Sequence, residues 1–409
     1  MAVRIGKMEG AGPYYGIPLE KLDLEWSREE ELEIERYCEK ILKNCAEEEM
    51  TPMERFRATM EGKPRDRQLI ETWFFPLYAI RTLDSFADAL KPIDSYRYPK
   101  LLVKSHFATV ARYKLDKFVI SAINYGENIF GWNSKLIEYG NPVTVGNPVI
   151  KSVEDLEGLE LADPRKHGMY PQYFWIGQEV RRIFAKYGLD KVMVLDVSIC
   201  GCPIMYAMLG MVGMTQYLLG LRKNPELCKR TTALGAEFAI KYGKAMVELV
   251  KPDIMAMCNF IGIVPIKGNE WIVDEFAKVG KAVAPLGVPM YLGTTFNQAI
   301  EWLPVLWERG AVGPQKRTWC GIAVTGDVED YKSLIDWSVE HDLYCCCGIK
   351  DKIVLSGPIS LIEEEEKKRA EYGKRCRKYV AGAGSSIDYW TPQAYYQATV
   401  EACRKYGKY

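Results

Sequence analysis

The side chains in this sequence that could do chemistry are thiols and carboxyls placed where apolar runs end. Three consecutive cysteines stand in "LYCCCGIKDK" (343–352), and "CGC" at Cys200–Cys202 follows the run "VMVLDVSI". Thiolates bind zinc, so each group is weighed as a metal site. A strand alternates its faces, so Cys345 and Cys347 point one way and Cys346 the other. The three cannot reach one ion together. Reduced cysteine is a small core residue where both faces of a strand are buried, and that reading is preferred for the triplet. Cys200 and Cys202 share a side if extended, which admits two thiolates. Zinc needs two further ligands, and the three histidines, His106, His167 and His341, lie away from the expected strand ends. A packed small-residue turn is preferred there, and Cys258 and Cys320 read as core.

The polar groups at expected strand ends suggest acid chemistry instead. Asp196 interrupts the apolar run that begins "VMVL". A buried carboxylate without a partner is costly, so the group either finds one or stays protonated, the state a general acid needs. Asn259, after "MAMC", is a substrate hydrogen-bonding candidate or a loop cap. Asp327 in "VTGDVED" caps the next helix or faces a substrate. Lys350, followed by Asp351, makes an ion pair or a substrate contact, or lies in a solvated loop, the reading preferred. Tyr291 in "YLGTT" is a phenolic donor, or a half-buried aromatic with a satisfied hydroxyl. Asp388 follows the small-residue run "GAGSS". Trp73, Phe74 and Phe75 line an aromatic pocket or fill core.

The elements that must position these groups follow from periodicity. From residue 171 onward, short apolar strands such as "DIMAMCNF", "VPMYLGTT" and "TWCGIAVTG" alternate with amphipathic helices of 10–15 residues. That rhythm argues for βα units on a parallel sheet, and so many units fit a (β/α)8 barrel, an α/β fold of the TIM-barrel kind. Residues 17–50 form a charged amphipathic helical extension. In "TPMERFRATMEGKPRDR" (51–67), Thr51 caps a helix, Pro52 takes its first position and Glu54 completes a capping box. Gly62 and Pro64 stop it. "RQLIETWFF" is an apolar strand, whereas 91–170 reads as an irregular insertion with hairpin-like pieces at "FVISAINYG" and "KLIEYGNPVTVGNPV". The domains expected are 1–50 (extension) and 51–409 (barrel).

Composition excludes several classes. The 409 residues are 48% hydrophobic, and Lys+Arg and Asp+Glu balance at 54 each, so no basic nucleic-acid surface is expected. No run of about 18 apolar residues suggests a membrane helix. Twelve cysteines without an export signal imply reduced thiols, a cytoplasmic location and an anaerobic host. No G-x-G-x-x-G or P-loop opens a helix.

The sequence resembles the uroporphyrinogen decarboxylase superfamily over roughly residues 51–409. The phrases that carry the likeness are "TPMERFRATMEGKPRDR", "SVEDLEGLELADPRK", "KNPELCKR", "GVPMYLGTTFNQAIEWLPVLWERGA", "IKDKIVLSGP" and "TPQAYYQATVEACRKYG". The resemblance implies a TIM-like barrel whose active site lies at the carboxyl ends of the strands. It implies one of two chemistries: cofactor-free porphyrinogen decarboxylation, or corrinoid-dependent methyl transfer, often zinc-assisted. The decarboxylases carry an arginine-rich phrase after the first strand, where Arg pairs bind substrate carboxylates. This chain has "ETWFFPLYAIRTL" there, with Arg81 alone. An apolar wall suits a small neutral or aromatic substrate. The zinc methyltransferases carry H-x-C-G at a central strand end, where this chain has Tyr291 and Gly293. Asp388 lies close to their further C-terminal cysteine.

The favoured expectation is a methyltransferase of the O-demethylase type. It moves a methyl group from a small methyl ether to the cob(I)alamin of a corrinoid-binding partner protein. Asp196, Tyr291 and Asp388 are its candidate catalytic groups; Trp73, Phe75, Asn259, Asp327 and Lys350 are candidate substrate contacts. The resemblance leaves zinc open, with Cys200, Cys202 and Asp388 as its candidate ligands, and also leaves a homodimer open. The alternatives are a decarboxylase and a non-catalytic barrel that binds a corrinoid or small ligand.

Overall fold

The structure is a computed structural model. It describes the whole chain except residues 1, 73–75, 84–89, 121–126, 141, 200, 295–296, 314–317, 325–328 and 383–386. Eight parallel strands form a nearly closed TIM barrel. We number them β1 (Leu69–Glu71), β2 (Lys117–Ile120), β3 (Val194–Ile199), β4 (Ile254–Cys258), β5 (Met290–Thr294), β6 (Gly321–Val324), β7 (Tyr344–Gly348) and β8 (Tyr379–Gly382). The hydrogen-bonded order is β1-β8-β7-β6-β5-β4-β3-β2. The register sets Asp196 beside Val119 and Ile254, and Tyr291 beside Ala256.

Among the described residues, side chains rather than a backbone ladder join β1 to β2. The amide of Ile70 donates to Asp116 Oδ2 at 2.8 Å, and Lys117 pairs with Glu71. Gly321 is required where β6 meets β7, because a Cβ there would lie 1.9 Å from the Tyr344 carbonyl oxygen.

The first helices show how local sequence sets the scaffold. Helix α1 (Arg28–Ala46) starts at a Ser27–Glu30 capping box. Helix α2 (Pro52–Glu61) has the Thr51–Glu54 box expected from sequence and ends at Gly62, φ 65°. Met53 and Phe56 of α2 join the interior cluster of the barrel with Leu69, Val119 and Val194. Burying each contributes about 2–3 kcal/mol.

The span 91–170 is more regular than its sequence suggests. It holds helix α3 (Pro99–Tyr113) and barrel strand β2. "FVI" (118–120) is therefore part of a parallel strand and not of a hairpin. Residues 134–135 and 143–144 do pair antiparallel. The helical stretch over 203–250 is divided into a short turn at Pro203–Met205, a π-helix at Tyr206–Val212, and helices α4 (Met214–Lys223) and α5 (Pro225–Val250). Gly213, φ 96°, makes one of those breaks. Among the described residues no single helix is long and apolar enough to cross a membrane.

The cysteine triplet follows the pleat. Cys346 belongs to the barrel interior, while Cys345 and Cys347 pack in the outer layer against the helices. Burial pushes all three thiols up, so they are inert protonated core groups.

Candidate functional site

Charged residues on inward-facing strand positions form one buried cluster. Alternation puts Glu71 at the end of β1, Lys117 at the start of β2 and Asp196 in mid-β3 on the inner face with Leu69, Val119 and Val194. Lys117 Nζ lies 2.7 Å from Glu71 Oε2, 3.0 Å from Asp196 Oδ2 and 3.1 Å from the Tyr344 hydroxyl. The Tyr291 hydroxyl donates to Asp196 Oδ2 at 2.9 Å, and the Tyr344 hydroxyl donates to Glu71 Oε2. The ammonium also sits 5.2 Å from the centre of the Tyr291 ring and 5.5 Å from that of Tyr344, close enough for a cation–π attraction. Lys117, Glu71 and Asp196 are wholly buried.

Two carboxyls share one cation in a dry interior, so only one full negative charge is balanced. Burial lowers the Lys117 ammonium, but Glu71 and Asp196 more than reverse this and keep it charged. The Asp196 carboxyl is held above the ordinary range. Burial lifts it to about 6 and nearby Glu71 adds to the rise, against the pull of Lys117 and Tyr291. Its two oxygens differ. Oδ2 accepts from both Lys117 and Tyr291, whereas Oδ1 is buried with no hydrogen-bond partner among the described residues. Oδ1 is therefore the oxygen open to a proton. Two residues further along the same inner face, the Ser198 hydroxyl is also buried with no hydrogen-bond partner among the described residues. Orphaned buried oxygens cost about 1–3 kcal/mol each, which marks a place kept for something other than stability.

The structure sorts the residues expected from sequence. Asp196 and Tyr291 are brought together as a bonded pair. Asp388 is exposed beyond β8 and is not bonded into the cluster. Asn259 is spent on a local cap: its amide nitrogen donates to Gly293 O at 3.2 Å, and its Oδ1 accepts from the Ile261 amide. Lys350 pairs with Glu329 at 2.5 Å. Cys202 is buried, and its Sγ accepts from the Met205 amide at 3.4 Å as the cap of the following turn. Burial pushes that thiol up to about 11. Trp73, Phe74, Phe75, Cys200 and Asp327 lie outside the described residues. Glu71, Lys117, Tyr344 and Ser198 were not singled out from sequence. Glu71 in "LIETW" and Lys117 in "LDKFVIS" carry the signal that flagged Asp196, a charge set within an apolar strand.

The described residues do not fit the zinc site that the resemblance implies. No three of their His, Cys, Asp or Glu side chains converge. The tyrosine standing at the expected histidine position is bonded to Asp196. Arg81, the lone arginine after β1, donates to the backbone carbonyls of Tyr389 and Thr391.

Comparison with known proteins fixes the family. The model of the uroporphyrinogen decarboxylase (URO-D) family matches residues 51–257, just over half of the chain. The chain belongs to that family. Among solved structures, a methyltransferase from Methanosarcina mazei aligns with a TM-score of 0.69 at 17% identity. The alignment covers 88% of this chain and 99% of that one. No curated protein matches the sequence. Lys117 is the cation of the described interior cluster, and its charge is already taken.

Proposed function

We propose that this chain is a methyltransferase that moves a methyl group from a small, aromatic methyl ether to the cob(I)alamin of a corrinoid-binding partner protein. One observation carries the reading: a fully buried carboxyl, Asp196, raised to about 6, whose oxygen Oδ1 has no hydrogen-bond partner among the described residues. The corrinoid, when bound through its carrier, supplies the nucleophile that accepts the methyl group. What this chain must supply is help for a poor leaving group, an alkoxide or phenoxide. As the methyl–oxygen bond breaks, its electron pair stays on oxygen. Asp196 Oδ1 gives its proton to that oxygen, and the product leaves as the free phenol or alcohol. The carboxylate left behind is held by Lys117 and the Tyr291 hydroxyl on Oδ2. The family membership and the fold shared with the Methanosarcina methyltransferase are consistent with this reading.

The test is incubation with a reduced corrinoid protein and a panel of methoxylated aromatics. Methylated corrinoid forms with at least one of them in the wild type and is lost in Asp196→Asn. No methylation with any donor overturns the reading. Conversion of uroporphyrinogen to coproporphyrinogen by the same preparation would replace it with decarboxylation.

A further inference from the structure

We infer that Lys117 is a built-in cation, its ammonium filling the place between Glu71 and Asp196 that a divalent metal ion would otherwise take. The donor set around Nζ is made of oxygens: the carboxylates of Glu71 and Asp196 at 2.7 and 3.0 Å and the Tyr344 hydroxyl at 3.1 Å. The Tyr291 hydroxyl stands on the same Asp196 oxygen. Oxygen ligands of this kind suit hard divalent cations such as Mn²⁺. All three charged members of the cluster are fully buried, so its carboxyls require a positive centre. The chain supplies it on a tether from β2.

The choice of cation has a chemical consequence. A single positive charge balances one carboxylate and so favours the protonated form of the second carboxyl, and among the described residues Asp196 keeps an oxygen, Oδ1, outside the ion pair. A divalent ion in the same place would balance both carboxylates and remove that proton. Lys117 is thus a positioning residue that preserves an acid at the barrel centre. The zinc-type ligand positions are correspondingly given over to other work, Tyr291 to Asp196 and Cys202 to a helix cap. This inference stands apart from the proposed reaction, because cation binding is read without turnover.

The experiment is a Mn²⁺ titration of the full chain, followed by calorimetry and by melting temperature. Wild type takes up no Mn²⁺ that Glu71→Gln removes. Lys117→Ala vacates the place and gains Mn²⁺ binding, with a melting temperature that rises with Mn²⁺ concentration. Adding Glu71→Gln to Lys117→Ala abolishes that gain. Should Lys117→Ala fold poorly alone, refolding with Mn²⁺ restores it. Lys117→Met, which fills the space without charge, is not restored. A wild-type site for Mn²⁺ that Glu71→Gln abolishes would overturn the inference. So would a Lys117→Ala chain that neither binds Mn²⁺ nor regains structure with it.

Discussion

Asp116 and Lys117 are neighbours in sequence, yet they serve two charged clusters of opposite character. Asp116 faces the β1–β2 seam. Arg67 reaches both of its oxygens at 2.7 and 2.8 Å, Arg55 reaches Oδ1 at 2.9 Å, and the Ile70 amide reaches Oδ2 at 2.8 Å. Arg55 also forks onto Asp66, and Glu48, at the end of α1, ties in Arg55, Arg67 and Arg404. Burial alone would raise the Asp116 carboxyl, but Arg67 and Arg55 hold it far below the ordinary range. Lys117 faces the barrel interior, where Asp196 shares one cation with Glu71 and is raised to about 6. In the seam cluster every Asp116 oxygen is doubly satisfied and the group serves as a clamp. In the interior cluster one Asp196 oxygen has no partner among the described residues. Full satisfaction makes structure, and deliberate shortfall makes an acid.

The largest effect is expected at the seam. Arg67→Ala leaves Asp116 and Glu48 short of a buried partner, and breaking such a pair costs about 3–5 kcal/mol. Urea unfolding should show that loss, and a change under about 1 kcal/mol would mean the seam is held by packing alone. Next is Asp196→Asn, which keeps shape and removes the proton. Methyl transfer should fall about 10²–10⁴-fold, the range for a lost general acid, while the melting temperature stays close to wild type. If Asp196→Asn unfolds as readily as Arg67→Ala, the two clusters do not differ in kind.

A smaller effect separates their pH behaviour. The folded pKa of Asp116 is depressed, so its contribution is present above the ordinary carboxylate range and is lost as pH falls through it. The folded pKa of Asp196 is raised, so its neutral form favours the fold at low pH. That advantage is lost as pH rises from about 4 through about 6. Tyr291→Phe removes a donor that favours the Asp196 carboxylate. The pH at which activity declines should therefore move upward, with a rate change of about tenfold or less. An unmoved profile would detach Tyr291 from the acid. The smallest effect is at the cysteines: Cys345→Ala with Cys347→Ala should cost about 1–2 kcal/mol as small cavities and leave metal content unchanged. Loss of a bound metal would restore the triplet as a site.

The barrel was legible because β3 to β8 are apolar runs separated by amphipathic helices, a pattern that survives without tertiary context. Strand β2 was legible only as a hairpin-like piece, because its short run "KFVI" begins with a lysine and follows an aspartate. Its place in the parallel barrel shows only once the seam and the interior each claim one of those charges. Asp196 was legible as a carboxyl that breaks an apolar run, and Tyr291 stood out through the resemblance. Glu71 and Lys117 were not, because pairing across 46 residues is a property of the closed ring and of no local window. Asn259 illustrates the converse: its type and place suit substrate binding, while its amide is consumed by Gly293 and Ile261.

The central claim is that a carboxyl at the barrel centre keeps its proton well above the ordinary aspartate range, up to about pH 6. Infrared titration of wild type against Asp196→Asn measures it directly through the carboxyl C=O band. A band present in wild type alone, fading with a midpoint near pH 6, is the result expected. A carboxylate already ionised at pH 4, in the range of free aspartate, would contradict it.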